Sequence, residues 1–488
     1  MSRRYLLSAA VLAFTAHVQA AAPTVDPSFG WRRLFETGGG SQSEIAVAHA
    51  RTADGGYVVA LEVPGGGAAG GTGMRIGLFR HDADGNPVSS GFGVGGQVIK
   101  DAWLTSVTGM AIDSQGRIVV IGATPGQGGR SDFGVVRFNP DGSDDTSFAG
   151  DGGTAVGFDH SGLNTDDNPT SVLIDAADKI VVAGDWHATG TEAQFCALRL
   201  NVDGSIDNTW GSISDGAGGK RGTCDGFAAG KDAHARRILR IDRGYYVVAG
   251  TSSFSSTDTD FAARILTPSG SQWAGYVGSR TFPIDMPAAD DSLFDTLTDA
   301  VLVDSTTILL VGTSSDRLAA TRIKAGAENN SSQYSTLQTD PSFIGGGPAS
   351  FSHTFVDATP SAMAGSAAIA PNGQMMLVGS TTHMPIGLST DAHEPQGSAP
   401  PMHGLLVQLN ANGTIDGGFG DGGNATIDVP SGNSSAYYTW ISQVSFAGSR
   451  PVLLGTSSFS IVPVTDLDGI LTRLRSDLIF ADGFQVQY

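Results

Sequence analysis

One short apolar strand recurs seven times in this chain, and that repetition constrains its fold more than any other feature. Successive copies end 61 to 76 residues apart, and β-branched or aliphatic residues fill nearly every position. Such runs are typical of strands buried on both faces. Because repeated units stack on one another, the repeat favours a single repetitive architecture. The copies are YVVAL (57–61), IVVIG (118–122), IVVAG (180–184), YVVAG (246–250), ILLVG (308–312), MMLVG (375–379) and PVLLG (451–455).

Similar neighbours surround each copy and give four strands per repeat. A strand and a tight turn such as Asp54-Gly55 precede it, and a third strand follows that ends in a turn such as Asp141-Gly142. Asp-Gly between apolar runs indicates a hairpin, because both turn residues must tolerate positive φ. A fourth element carries Asp-x-Ser/Thr-aromatic, as in 145–148 and 207–210. Four antiparallel strands per repeat predict a β-propeller blade.

A displaced copy of the fourth-element motif stands before the first repeat, at Asp26-Pro27-Ser28-Phe29-Gly30, whereas the seventh repeat lacks a clear copy at its end. We therefore predict an all-β, seven-bladed propeller over residues 21–476. The N-terminal strand, about 25–36, would complete blade seven and close the ring, which removes an open sheet edge.

The repeat unit resembles the delta-60 repeat of bacterial secreted proteins. The resemblance is carried by GRIVVIG (116–122), DKIVVAG (178–184), DFGVVRFNPDGSDDTSFAGDG (132–152) and FCALRLNVDGSIDNTWG (195–211). It is strongest in repeats two and three and weaker in the later ones. The resemblance implies a propeller and brings no catalytic residues with it.

The two ends of the chain indicate export. Arg3 and Arg4 precede a short apolar run over 6–16, and Val18-Gln19-Ala20 offers small residues for cleavage, so residues 1–20 predict a signal peptide. The apolar run is shorter than the ~20 residues of a membrane span, although an anchor is the alternative reading. We expect a secreted protein, in the periplasm, outside the cell or on its surface, with no transmembrane segment. The C-terminal tail, 477–488, contains IFADGF and is interpreted as a latch or a sorting tag.

The formal net charge limits the classes of binding partner, and the cysteine content limits the possible disulfides. A formal net charge of −20 disfavours nucleic acid and anionic lipid, which bind basic patches. Cys196 and Cys224 fall on or beside neighbouring strands of one repeat, so an exported chain favours one disulfide between them. Two buried free thiols are the alternative. We expect a monomer.

Function is expected on the face that carries the variable links, 64–73, 159–168, 280–293 and 381–403, because binding concentrates in long loops on a rigid scaffold. The last link holds His383, His393 and His403. Imidazoles bind zinc and copper, but this spacing fits no fixed metal motif, and a solvated loop is the favoured interpretation.

No cofactor is predicted, and calcium is a weak candidate. Carboxylates cluster in loops at 82–84, 144–145, 166–167 and 466–468. No EF-hand closing acid follows any of them, and hairpin turns select Asp for backbone reasons. Catalytic strings such as G-x-S-x-G and H-E-x-x-H do not occur. We therefore favour a non-catalytic binding module for an extracellular glycan, peptide or protein. The alternative is an extracellular polysaccharide hydrolase or lyase with carboxylates in the central funnel.

Overall fold

A computed structural model describes most of the chain between residues 23 and 475. The described ranges are 23–34, 44–66, 73–101, 103–126, 129–158, 165–188, 192–227, 231–255, 258–271, 281–284, 295–314, 317–327, 334–344, 349–351, 362–382, 402–420, 422–428, 430–431, 434–435, 438–458 and 467–475. The predicted signal peptide and the tail 477–488 lie outside them.

The protein is an all-β, seven-bladed propeller, as the repeat predicts, and no α-helix occurs in these ranges. Strand β1 (Trp31–Leu34) comes first in the chain. Blade one contains β2 (Ile45–Arg51), β3 (Tyr57–Gly66), β4 (Gly73–His81) and β5 (Gln97–Asp101). Blade two contains β6 (Gly109–Ile112), β7 (Ile118–Pro125), β8 (Ser131–Phe138) and β9 (Gly153–Val156). Blade three contains β10 (Thr165–Ile174), β11 (Ile180–Ala188), β12 (Gln194–Leu200), β13 (Ile213–Ser214) and β14 (Lys220–Asp225).

The remaining blades follow in chain order. Blade four contains β15 (Ala233–Arg240), a 3₁₀ helix (Asp242–Gly244), β16 (Tyr246–Ser255), β17 (Asp258–Leu266) and β18 (Thr281–Ile284). Blade five contains β19 (Asp295–Leu302), β20 (Thr307–Ser314), β21 (Arg317–Ala327), β22 (Tyr334–Thr339) and β23 (Ala349–Phe351). Blade six contains β24 (Ala362–Ile369), β25 (Met375–Thr381), β26 (His403–Leu409) and β27 (Asn424–Ile427). The hairpin of β28 (Pro430–Ser431) and β29 (Ser434–Ser435) precedes blade seven, which contains β30 (Tyr438–Ala447), β31 (Arg450–Ser458) and β32 (Leu467–Arg473).

Each blade is an antiparallel sheet whose first three strands lie in sequence order, and two blades exceed the four strands predicted. In blade three, β13 adds beyond β14, and in blade five, β23 pairs with β21 beside β22. In blade seven, β1 pairs with β32, with Trp31 opposite Thr472 and Leu34 opposite Gly469. The first strand of every blade contacts the first strands of both neighbours, including β2 of blade one with β30 of blade seven. The first strands are therefore innermost.

The second strands form the centre of each sheet, and their apolar runs are buried on both faces. Alternate residues pack into the clusters on either side, so that the hydrophobic core consists of layers between neighbouring blades. The layer between blades seven and one unites Phe29, Tyr57 and Val59 with Leu454 and Leu471.

The Asp-x-Ser/Thr-aromatic motif lies in the turn before the fourth strand, and not in the strand itself as the sequence suggested. In blade two, Arg137 of β8 donates through Nε to Asp145 at 2.7 Å, and its guanidinium lies 4.5 Å from the centre of the Phe148 ring. The same arginine donates to the carbonyl of Val202 in blade three. A Cβ at Gly204, whose φ is +86°, would lie 2.9 Å from the Phe148 ring. We call this arrangement of arginine, aspartate and aromatic ring the clasp.

Clasps join several neighbouring blades. In blade five, Arg322 Nε donates to Asp340 at 2.7 Å, and Nη1 donates to the carbonyl of Ala411 in blade six at 2.8 Å. The clasp of blade seven uses the displaced N-terminal motif, because Arg473 Nε donates to Asp26 at 2.9 Å and Nη1 donates to Ala83 of blade one at 2.8 Å. The N-terminal segment therefore contacts both blade seven and blade one.

The cysteine pair lies within one blade. Cys196 of β12 and Cys224 of β14 are directly opposite each other, with Cα atoms 4.1 Å apart, and a disulfide joins them. This bond links the third and fourth strands of blade three.

Candidate functional site

The propeller has two chemically different faces. The turn face carries the tight turns between first and second strands and between third and fourth strands, whereas the loop face carries the longer links. First and third strands begin at the loop face, and second strands end there. Much of the four predicted variable segments lies outside the described residues, as do His383 and His393. His403 is described and is a buried residue of β26.

His403 pairs with a carboxylate within its own blade. Its Nδ1 lies 2.8 Å and 2.9 Å from the two carboxylate oxygens of Asp428. The described residues contain no group of three or more His, Cys, Asp or Glu side chains able to hold a metal ion. The candidate calcium cluster at Asp82 and Asp84 shows turn chemistry, since Asp82 accepts the backbone amides of Asp84 at 2.9 Å and Asn86 at 2.8 Å. Asp466 lies outside the described residues.

The repeat brings one residue, in or just before each first strand, to an equivalent place on the loop face. In six blades the carbonyl oxygen of this residue occupies the space that a Cβ would need on the glycine that ends the repeated apolar run. In blade one, Leu61 stands in place of that glycine. We call these the rim residues. They are Ile45, Ser106, Asn168, His234, Thr296, Met363 and Trp440, in blades one to seven.

Two rim residues line a cleft of about 490 Å³ on this face, which extends from the start of β8 in blade two across blade three to the start of β15 in blade four. The lining comes from starts of first and third strands and from the end of β11. Its residues are Ser131, Asp166, Asn168, Asp185, His187, Ala193, Asp232 and His234. Seven of the eight lining side chains are polar, and three of them are carboxylates.

Asp185 occupies a position whose side chain, in other blades, accepts a hydrogen bond from the next blade. Thr251, Thr313 and Thr456 follow the same glycine, and their hydroxyls accept the backbone amides of Leu297, Ala364 and Ala46 in the next blade, at 2.9, 2.9 and 3.2 Å. Asp185 Oδ1 likewise accepts the amide of Ala235. Its second oxygen, Oδ2, lies 3.0 Å from His234 Nδ1. A carboxylate in place of a hydroxyl thus keeps the bond between blades and gains a contact with histidine.

His234 faces the cleft with 47% of its side chain exposed. The hydrogen bond to Asp185 raises the pKa of His234 above its usual value, against the opposing effect of burial. Because Nδ1 is engaged with the carboxylate, Nε2 is the ring nitrogen left for contact with a ligand.

The other two carboxylates are also fixed by neighbours. Asp166 Oδ2 accepts from Arg130 Nη1 at 2.6 Å, and Asp232 Oδ1 accepts the backbone amide of Ala193 at 2.8 Å. Three carboxylates therefore face two cationic partners, Arg130 and His234, and the second is cationic only when protonated. The cleft carries excess negative charge, which attracts cationic groups.

Of the predicted variable links, 159–168 contributes Asp166 and Asn168 to the cleft. The histidine-rich link 381–403 stays a prediction, because His383 and His393 lie outside the described residues. Histidine density directed attention to 381–403, whereas the described cleft lies near blades three and four. The available signal was a departure from the repeat. Gly-Asp-Trp-His at 184–187 stands where three other blades have Gly-Thr-Ser-Ser.

A family model described as "Domain of unknown function (DUF5122) beta-propeller" matches residues 114–148 and 177–209. These segments lie in blades two and three, where the internal repeat is most regular. The match supports a β-propeller repeat of unknown function. No curated protein sequence matches the chain.

Solved structures similar to this chain share little sequence with it. The polysaccharide lyase Uly1 is 12% identical, with 94% of this chain and 97% of that chain covered and a TM-score of 0.44. A protein of unknown function from Dyadobacter fermentans is 12% identical, with coverage of 91% and 100% and a TM-score of 0.38. A glucose dehydrogenase is 11% identical, with coverage of 72% and 96% and a TM-score of 0.34. The activities of those proteins do not transfer to this chain at such values.

In the described part of the chain, no helix has the length and apolar character of a membrane span.

Proposed function

We propose that this protein is an exported, non-catalytic binding module whose acidic cleft takes a cationic group of its ligand. The observation that carries the proposal is the 490 Å³ cleft, where Asp166, Asp185 and Asp232 outnumber their cationic partners. An excess of carboxylates in a cleft attracts cationic groups, so the cleft favours the ammonium and guanidinium groups of peptides and proteins and the amino groups of glycans.

The hydrogen bonds of the carboxylates support binding over catalysis. Each one already accepts from the protein, and two of these donors are backbone amides, of Ala235 and Ala193. Fixed carboxylates of this kind form a preorganised negative site. The raised pKa of His234 keeps its imidazole protonated closer to neutral pH, and a protonated imidazole is not a general base.

A second candidate is an extracellular hydrolase or lyase that acts on polysaccharide. The contact between Asp185 and His234 favours it, because a carboxylate on Nδ1 orients an imidazole for acid-base work through Nε2. Incubation with neutral and uronate-containing polysaccharides, followed by assay of new reducing or unsaturated ends, tests this candidate. Turnover that disappears in His234→Gln would replace the binding proposal.

The binding proposal is tested by calorimetric titration with tri-lysine and with tri-lysine acetylated on its side chains. We expect the wild-type protein to bind only the charged peptide, and less tightly as salt increases. Asp232→Asn keeps an oxygen for the Ala193 amide but removes the charge, and it should weaken binding about 3- to 5-fold. Asp151→Asn, on the turn face, is the matched control. Equal affinity for the two peptides contradicts the proposal.

A further inference from the structure

The rim residues divide the loop face into two halves of opposite chemistry. Blades two to five carry Ser106, Asn168, His234 and Thr296, which are all polar. Blades six, seven and one carry Met363, Trp440 and Ile45, whose exposures are 49, 42 and 36%. These three blades are consecutive around the ring, and their first strands contact one another. We call Met363, Trp440 and Ile45 the apolar arc.

The junction of blades six and seven is the apolar counterpart of the acidic cleft. In the cleft, Ala193 accepts the amide of Ala233 at 2.9 Å, and in blades six and seven Met402 accepts the amide of Thr439 at 2.7 Å. Met402 therefore stands where Ala193 does. One residue before Thr439, Tyr438 stands at the position of Asp232, and it bridges to Met402.

The apolar arc has no evident task in holding the blades together. Four blades place polar side chains at the same position within the same backbone geometry, so the fold does not require apolar ones there. The other exposed large apolar residues of the described chain lie on the turn face, at Val94, Leu302, Ile344 and Ile415. Apolar side chains clustered at equivalent exposed positions are typical of an interaction surface.

We propose that the apolar arc and the acidic cleft form one docking surface for a polypeptide segment that carries both apolar and basic side chains. This inference rests on the proposed function of the cleft. Trp, Tyr and Met are enriched in protein interfaces, and methionine adapts to varied apolar partners. The carboxylates of the cleft and the net charge of −20 complement Lys and Arg in the segment. The same charge opposes an anionic lipid surface.

The test uses three labelled peptides of about 12 residues, which reach up to about 40 Å when extended. One alternates Leu with Lys, one Leu with Glu and one Ser with Lys, and binding is measured by fluorescence anisotropy. The arc variant combines Ile45→Thr, Met363→Thr and Trp440→Thr, because threonine is the natural rim residue of blade five. Val94→Thr, an exposed apolar residue on the turn face, is the matched control.

We expect the Leu–Lys peptide to bind the wild-type protein most tightly. Its Kd should rise at least about 10-fold in the arc variant, which is about 1.4 kcal/mol, while the melting temperature and the Val94→Thr control stay unchanged. The Ser–Lys peptide should bind more weakly and be insensitive to the arc variant.

Several results would overturn the inference. The first is an arc variant that binds the Leu–Lys peptide as tightly as the wild-type protein does, and the second is equally tight binding of the Leu–Glu peptide. The others are binding of phosphatidylcholine vesicles or of neutral oligosaccharides, or self-association in sedimentation, that is lost in the arc variant.

The Asp232→Asn variant separates the two proposals. If it leaves Leu–Lys binding unchanged while the arc variant abolishes it, the acidic cleft fails. If Asp232→Asn weakens all Lys peptides and the arc variant weakens none, only the arc fails. If no peptide binds, both fail.

Discussion

At the scale of single residues, the cleft arises where one side chain departs from the repeat. A threonine hydroxyl after the repeated glycine accepts one amide from the next blade, as Thr251 does for Leu297. Asp185 does the same for Ala235 and has a second oxygen left for His234. One substitution within a structural position therefore adds charge to the loop face without altering the backbone.

Asp185→Thr should separate the structural role of this residue from its role in the site. Threonine keeps an acceptor for the Ala235 amide, so the unfolding midpoint should change little, whereas Asp185→Ala leaves that buried amide unpaired and should cost about 1–3 kcal/mol. In both variants the pKa of His234 should fall, because the hydrogen bond to the Asp185 carboxylate that raises it is lost. NMR titration of the imidazole measures this. An unchanged His234 pKa in Asp185→Thr would contradict the assignment.

The sign of the accompanying pH effect follows from the same contact. Asp185 stabilises the imidazolium, so its contribution to folding is present below the unfolded pKa of about 6.5 and is lost as pH rises through the higher folded value. Proton loss from His234 also leaves the cleft more negative. Cation binding should therefore strengthen over that pH range, and this dependence should disappear in His234→Gln.

The site was only partly predictable from the sequence for a physical reason. The Gly184-Asp185 departure is visible in the repeat, but its partner His234 lies 49 residues away in the next blade. Only the pairing register brings the two together. The clustering of histidines over 381–403 says nothing about which strands pair. His403 is a buried strand residue that contacts Asp428.

At the scale of elements, strands and hairpin turns followed from local sequence, whereas the clasp did not. Apolar runs and Asp-Gly turns act within a few residues, so the sequence located them. The clasp joins Arg137 to Asp145 within blade two and to Val202 in blade three, 65 residues away. The Asp-x-Ser/Thr-aromatic motif recurs where a fourth strand is expected, so the sequence suggests a strand. In the structure the motif forms the turn that packs one blade on the next.

Replacement of Arg137 should show how much a clasp contributes. Arg137→Ala leaves the buried Asp145 without its cationic partner, which should cost about 3–5 kcal/mol. Arg137→Gln should cost less, because blade six already uses this solution, where Gln408 Nε2 donates to Asp416 at 2.8 Å. Urea unfolding of the two variants provides the comparison. Equal losses would mean that the hydrogen bond to Asp145 contributes little beside the contacts of the guanidinium with Phe148 and Val202.

At the scale of the whole molecule, the N-terminal segment contacts both the first and the last blade. It contributes β1 to blade seven, and it supplies Asp26 and Phe29 to Arg473. Phe29 is buried against blade one, where a Cβ at Gly85 would lie 2.5 Å from its ring. Its surroundings closely resemble those of Phe148, which lies between blades two and three and is continuous with the chain on both sides.

Because Phe29 and Phe148 have similar surroundings, Phe29→Ala and Phe148→Ala form a matched pair of variants that tests the closure of the ring. Phe148→Ala should lower stability by about 3–5 kcal/mol, because it removes a fully buried ring. If the N-terminal segment closes the ring and unfolds together with it, Phe29→Ala should lower the urea midpoint by a similar amount. If the segment detaches before the blades unfold, Phe29→Ala should leave the main transition unchanged, and the seven blades would then be stable without it. Hydrogen exchange of the β1 and β32 amides distinguishes these cases directly, since a segment that detaches early loses its protection while β7 and β8 keep theirs.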